Sequence, residues 1–121
     1  MQIDLKKYGK FEMKTPGSVA TCLDYVMIWG GDPNRAQLCR LYASAIALCT
    51  GCLSLPKYNV STGDPIAHGH VCLERLVTEA KLNIGEIAEA GLICLGAMMQ
   101  ATAVFNEVTE KENFSSQSAD P

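Results

Sequence analysis

"AGLICLGAMMQATAVF", residues 90–105, carries no charge over sixteen positions, and only Gln100 and Thr102 are appreciably polar. Such a run is either the central helix of a folded core or a membrane segment. A spanning helix needs roughly twenty apolar residues, whereas runs of about 10 to 14 are more often buried in protein. Gly91, Gly96, Ala97, Ala101 and Ala103 dilute the hydrophobicity of this one. Glu86, Glu89 and Glu107 flank it, with no basic cluster to set an orientation. The reading is therefore a core helix, and a soluble domain has to be found around it.

Upstream of the run, Asn83-Ile-Gly-Glu86 is a capping box: Asn83 caps the first amides and Glu86 reaches back, so the helix starts there. Three earlier helices are expected from Thr-Pro or Asp-Pro signals, in which the first residue caps and proline takes the first helical position. Thr15-Pro16 opens a helix of about 16–29 that Gly30-Gly31 stops, with Val19, Leu23, Val26 and Met27 as its core face, Cys22 beside them, and Tyr25 and Trp29 on a neighbouring stripe. Asp32-Pro33 opens a second helix that ends at Gly51, with Leu38, Leu41, Tyr42, Ala45, Ile46 and Cys49 at helical spacing. Its charge disappears after Arg40, so other elements should surround its second half. Asp64-Pro65 opens a third, of about 65–81.

Ahead of the helices, Ile3 and Leu5, then Phe11 and Met13, alternate with polar neighbours around "KKYGK". This predicts a hairpin over residues 2–14, with Gly9 supplying the positive φ of its turn. A lone hairpin is marginal in water and must lean on the helices or extend another sheet. Between the second and third helices, "CLSLPKYNVSTGDP" (52–65) is an irregular stretch of the kind that often carries function. After Asn106, Thr109-Glu-Lys-Glu112 is a second capping-box pattern with room for a turn or two of helix, and "NFSSQSADP" reads as a polar tail. The expected fold class is mainly α: a four-helix domain with an N-terminal β-hairpin, residues 1–114, followed by a polar tail at 115–121.

With 121 residues the chain fits one domain, and a single core is expected. Ten Lys and Arg against thirteen Asp and Glu, with no like-charged block, argue against nucleic-acid binding. "MQIDLKKYGKFEMK" lacks the apolar segment of a secretory signal, which places the expected protein in the cytoplasm. In that compartment the six cysteines, each within an apolar run, read as reduced packing residues.

Cys49-Thr-Gly-Cys52 nonetheless has the spacing of zinc sites and redox dithiols. With His68 and Cys72, one helical turn apart, it makes a tetrahedral zinc set on paper. Four apolar helices need no metal to fold, however, and His70 would be left over. A redox dithiol opens a helix, where the dipole favours the thiolate. This pair sits at a helix C-terminus, where it should be discouraged. Neither a G-x-S-x-G elbow nor a glycine-rich phosphate cradle is present, so no enzyme, cofactor or nucleotide site is expected.

The order of these features resembles a known group. "QIDLKKYGKFEM", Thr-Pro, "DPNRAQLCRLYASAIALC", "LPKYNVSTGDP", "IAEAGLICLGAMM" and "VTEKENF" together resemble small proteins encoded among the tail genes of long-tailed bacteriophages, in particular tail assembly chaperones. The resemblance implies a predominantly helical, non-enzymatic protein that binds the tape measure and tail tube proteins and keeps them soluble until the tube polymerises. It would act in the host cytoplasm during assembly. The cysteine content and short tail depart from the chaperone pattern. A virion structural component, such as a head-tail connector or decoration protein, is the alternative, and a small zinc-binding domain is a second. Expected partner-binding residues are Phe11 and Met13 on the hairpin, Tyr58 in the loop and Phe114 in the tail. The partners are phage tail or virion proteins, or a second copy of this chain, and not nucleic acid or membrane.

Overall fold

A computed structural model describes residues 1–53 and 64–119, with side chains as far as Thr102. Four helices follow an N-terminal hairpin, as expected. Strand β1 (Gln2–Asp4) pairs antiparallel with β2 (Lys10–Glu12), Ile3 opposite Phe11. A 3-10 turn, Lys6–Tyr8, joins them, and Gly9 takes φ +88°. Lys6 adopts φ +52°, and its amide donates to the Asp4 carboxylate at 3.0 Å, a local bond that favours this turn. Ile3 and Leu5 are buried, so the hairpin docks on the helices rather than standing alone.

The helices are α1 (Val19–Gly30), α2 (Arg35–Thr50), α3 (Pro65–Thr78) and α4 (Ile84–Ala119). Only α3 starts by the expected proline rule: Asp64 caps it and Pro65 is its first residue. In α1 the cap is Ser18, whose hydroxyl accepts from the Thr21 amide, and Pro16 lies upstream. In α2 Asn34 and Gln37 form a reciprocal capping box at 2.9 and 3.3 Å, leaving Asp32-Pro33 outside. The reason is competition: a Ser or Asn one or two residues past the proline caps as well as Thr or Asp does. Asp32 instead turns the chain, at φ +56°. α3 stops at Thr78, short of the expected 81, and Lys81 turns the chain at φ +58°.

The Asn83–Glu86 box at the start of α4 forms as read, at 2.8 and 3.2 Å. The helix then runs to Ala119, through the Thr109 cap signal and most of the expected tail. No glycine or proline interrupts residues 97–119, so an established helix meets nothing that stops it.

α2 is the centre of the domain, packing along both α3 and α4, while α1 packs mainly on α4. Two glycines allow the close approaches. A Cβ on Gly69 would stand 2.0 Å from the Arg40 carbonyl oxygen, and one on Gly91 would stand 2.4 Å from the Tyr42 Cβ. Beside Gly69 the buried Ser44 hydroxyl is placed to donate to the Pro65 carbonyl (2.9 Å) or the Arg40 carbonyl (2.8 Å). Residues 41–47 are buried without a break.

Of the face expected to bury α1, Val26 packs against the core and the neighbouring Cys22 is buried, but the rest does not turn inward. Val19, Leu23 and Met27 point to solvent, Met27 being 72% exposed, while Thr21, Cys22 and Tyr25 are buried and Trp29 packs against Tyr42 with ring centroids 5.8 Å apart. α1 is apolar nearly all round, so periodicity alone could not choose a side. The aromatic stripe, with more area to remove from water, is the one that faces the core.

Candidate functional site

Three features could carry function: the open apolar face, the hairpin with its cleft, and the cysteines. On α1, Val19, Leu23 and Met27 recur every fourth residue and form one ridge. On α4 the exposed positions include Leu92 and Met99, with Gly96 between them, where nothing lies within 4 Å of a notional Cβ. Single exposed apolar residues are ordinary, but rows at helical spacing are what a second helix or a groove packs against.

Of the expected contact residues, Phe11 and Met13 are half-buried and pack against this domain's own core. Tyr58 lies outside the described residues, as does the side chain of Phe114, whose backbone belongs to α4. The exposed row on α1 is hidden in the sequence because helical spacing places Val19, Leu23 and Met27 on the core face. The signal that could have found them is the second, aromatic stripe competing for the same side of α1.

Polar contacts pin the hairpin to the helices. The Tyr8 hydroxyl donates to the Glu79 carboxylate, which also pairs with Arg75 at 3.5 Å, and Arg75 donates to the Leu53 carbonyl at 2.8 Å. Lys6 pairs with Glu86 at 2.8 Å. The Tyr8 hydrogen bond holds Glu79 below the ordinary carboxylate value, and Lys6 does the same for Glu86. Between β1 and α4 lies an open cleft of about 260 Å³. Asp4, Lys6, Glu86 and Glu89 line it, and Ile3 and Ile93 contribute apolar surface. Its ionisable lining is three carboxylates and one amine, of which Glu86 is already engaged by Lys6 and by capping.

Each helix contributes one fully buried cysteine: Cys22, Cys49, Cys72 and Cys94. Cys39 and Cys52 are half-buried, and all six are free. The Cys49 thiol reaches the Cys94 carbonyl at 3.9 Å. The mutual influence of these two buried neighbours lowers the Cys49 pKa and, with burial, raises that of Cys94. Burial raises Cys52, and it pushes Cys72 up to about 12. Cys49, Cys52, His68 and Cys72 are all described, and among the described residues no three His, Cys, Asp or Glu side chains converge as a metal ion would need.

Among the described residues one stretch, Ile84–Thr102, is long and apolar enough to cross a membrane. Ile87, Ala90, Cys94, Leu95, Met98 and Thr102 along it are buried within this domain. Compared with protein-family models, with curated proteins and with solved structures, the chain matches none.

Proposed function

We propose that this chain is a non-enzymatic protein-binding domain of bacteriophage tail morphogenesis, a tail assembly chaperone that shields the tape measure or tube protein. The assignment to phage tails rests on the resemblance in sequence layout. The structural observation that supports binding is the ridge Val19–Leu23–Met27, left in solvent on a helix whose other side is well packed. An apolar ridge flanking a complete core offers a surface to a partner's amphipathic segment, by the same burial that folds the domain itself.

The test is coexpression with a tape measure protein of a long-tailed phage. The chain should hold that protein in the soluble fraction, and Leu23→Glu combined with Met27→Glu should abolish this while leaving the melting temperature unchanged. Purified particles provide the second reading. A chaperone is absent from them, and a fixed copy number there would transfer the protein to the virion structural class. Retained solubilisation by the double variant would remove the ridge from the mechanism.

A further inference from the structure

We propose that the cleft between β1 and α4 docks an extended basic segment of a protein partner, which adds a third strand to the free edge of β1. The hairpin's own hydrogen bonds show which groups are free. Leu5 donates to the Gly9 carbonyl at 2.8 Å and Met13 to the Met1 carbonyl at 3.0 Å, so, with Ile3 opposite Phe11, the odd-numbered residues of this segment bond across to β2. The amides and carbonyls of Gln2 and Asp4 therefore point to the other edge, and among the described residues the sheet has no third strand. The cleft lies on that edge, because its lining comes from β1, Lys6 and α4 and includes no residue of β2.

Charge selects the occupant. Asp4, Glu86 and Glu89 outnumber Lys6, so the lining is negative. Lys6 is taken by Glu86 at 2.8 Å, whereas Glu89 is exposed and enters no ion pair among the described residues. A second copy pairing β1 with β1 would bring two clefts of the same sign together, and like charges opposed across strands are destabilising. A strand in which lysine or arginine alternates with an apolar residue meets no such objection. Its backbone bonds to Gln2 and Asp4, the stem of a basic side chain lies over Ile93, and the charged head reaches Glu89. The α1 ridge takes no part in this site, which stands or falls independently of that surface.

The experiment titrates the full chain with a capped heptapeptide in which lysine alternates with valine, following backbone amides by NMR. The expected result is saturable binding, with the largest shifts and slowed hydrogen exchange at Gln2 and Asp4. Glu89→Lys should weaken binding about tenfold without lowering the melting temperature. The same peptide N-methylated at every residue keeps its charge but cannot donate to the edge, and it should not bind. A folded chain that does not bind the lysine–valine peptide, or binds a glutamate–valine counterpart or the N-methylated form equally well, would overturn the proposal. Undiminished affinity in Glu89→Lys would do the same. So would protection of Gln2 and Asp4 that rises with protein concentration when no peptide is present, because the occupant would then be a second copy.

Discussion

α1 and α2 are both rich in apolar residues, and they end in opposite circumstances. α2 is buried without interruption from Leu41 to Ala47, whereas α1 buries only Thr21, Cys22 and Tyr25 and leaves a ridge in water. Hydrophobicity does not explain the difference, because α1 has one charged residue, Asp24, and α2 has two, Arg35 and Arg40. Small residues do. Gly69, against the Arg40 backbone and Ser44, and Gly91, against Tyr42, let two helices approach α2 closely, and close approach is what removes area from water. Partners on both sides, more than composition, determine burial here.

The most severe way to break the contrast is to add a methyl group at the two crossings. Gly69→Ala and Gly91→Ala should each destabilise by more than ~3 kcal/mol, beyond the usual range for overpacking, because the obstructing atoms are the Arg40 backbone and the root of the Tyr42 side chain. Chemical denaturation would read this as a large fall in midpoint. A loss under ~1 kcal/mol would show that α2 is not held so closely.

Truncation should separate the helices next. Leu41→Ala should cost roughly 2 to 5 kcal/mol, while Met27→Ala should stay within about 0.5 kcal/mol. Equal losses, measured by thermal melts, would mean that α1's ridge is covered within the domain. Gly96 offers the opposite sign: on the open side of α4, Gly96→Ala should stabilise by about 0.5 to 1 kcal/mol, through helix propensity alone.

The smallest effect is expected from pH, acting through the hairpin's contacts. Glu79 and Glu86 have depressed values in the fold, so their contribution is present above the unfolded value of 4.5 and fades as pH falls through the folded one. Tyr8, raised chiefly by its bond to Glu79, and Lys6, raised by its bond to Glu86, contribute below their unfolded values of 10.0 and 10.5 and fade at higher pH. Docking of the hairpin should therefore be firmest between about 4.5 and 10.0. Tyr8→Phe should flatten the acid limb of a plot of melting temperature against pH. An unaltered limb would show that the Tyr8–Glu79 bond does not anchor the hairpin.

Much of this was legible in the residues. The hairpin with Gly9 at its turn, the Asp64-Pro65 start, the Asn83–Glu86 capping box and the core residues Leu41, Tyr42, Ala45, Ile46 and Cys49 are local signals of short range, and the structure keeps them. The contact residues were less so. Phe11 and Met13 pack inward because the hairpin docks, and nothing within residues 2–14 states which face meets the helices.

By itself the chain determined where α3 and α4 begin and that the helices would collapse together, since caps, turns and apolar spacing act over a few residues. Which side of α1 faced inward and how near α3 and α4 came to α2 were decided only in the assembled domain. Each depends on surfaces brought together from distant parts of the chain, where the area buried and the room left by a missing side chain outweigh any local preference.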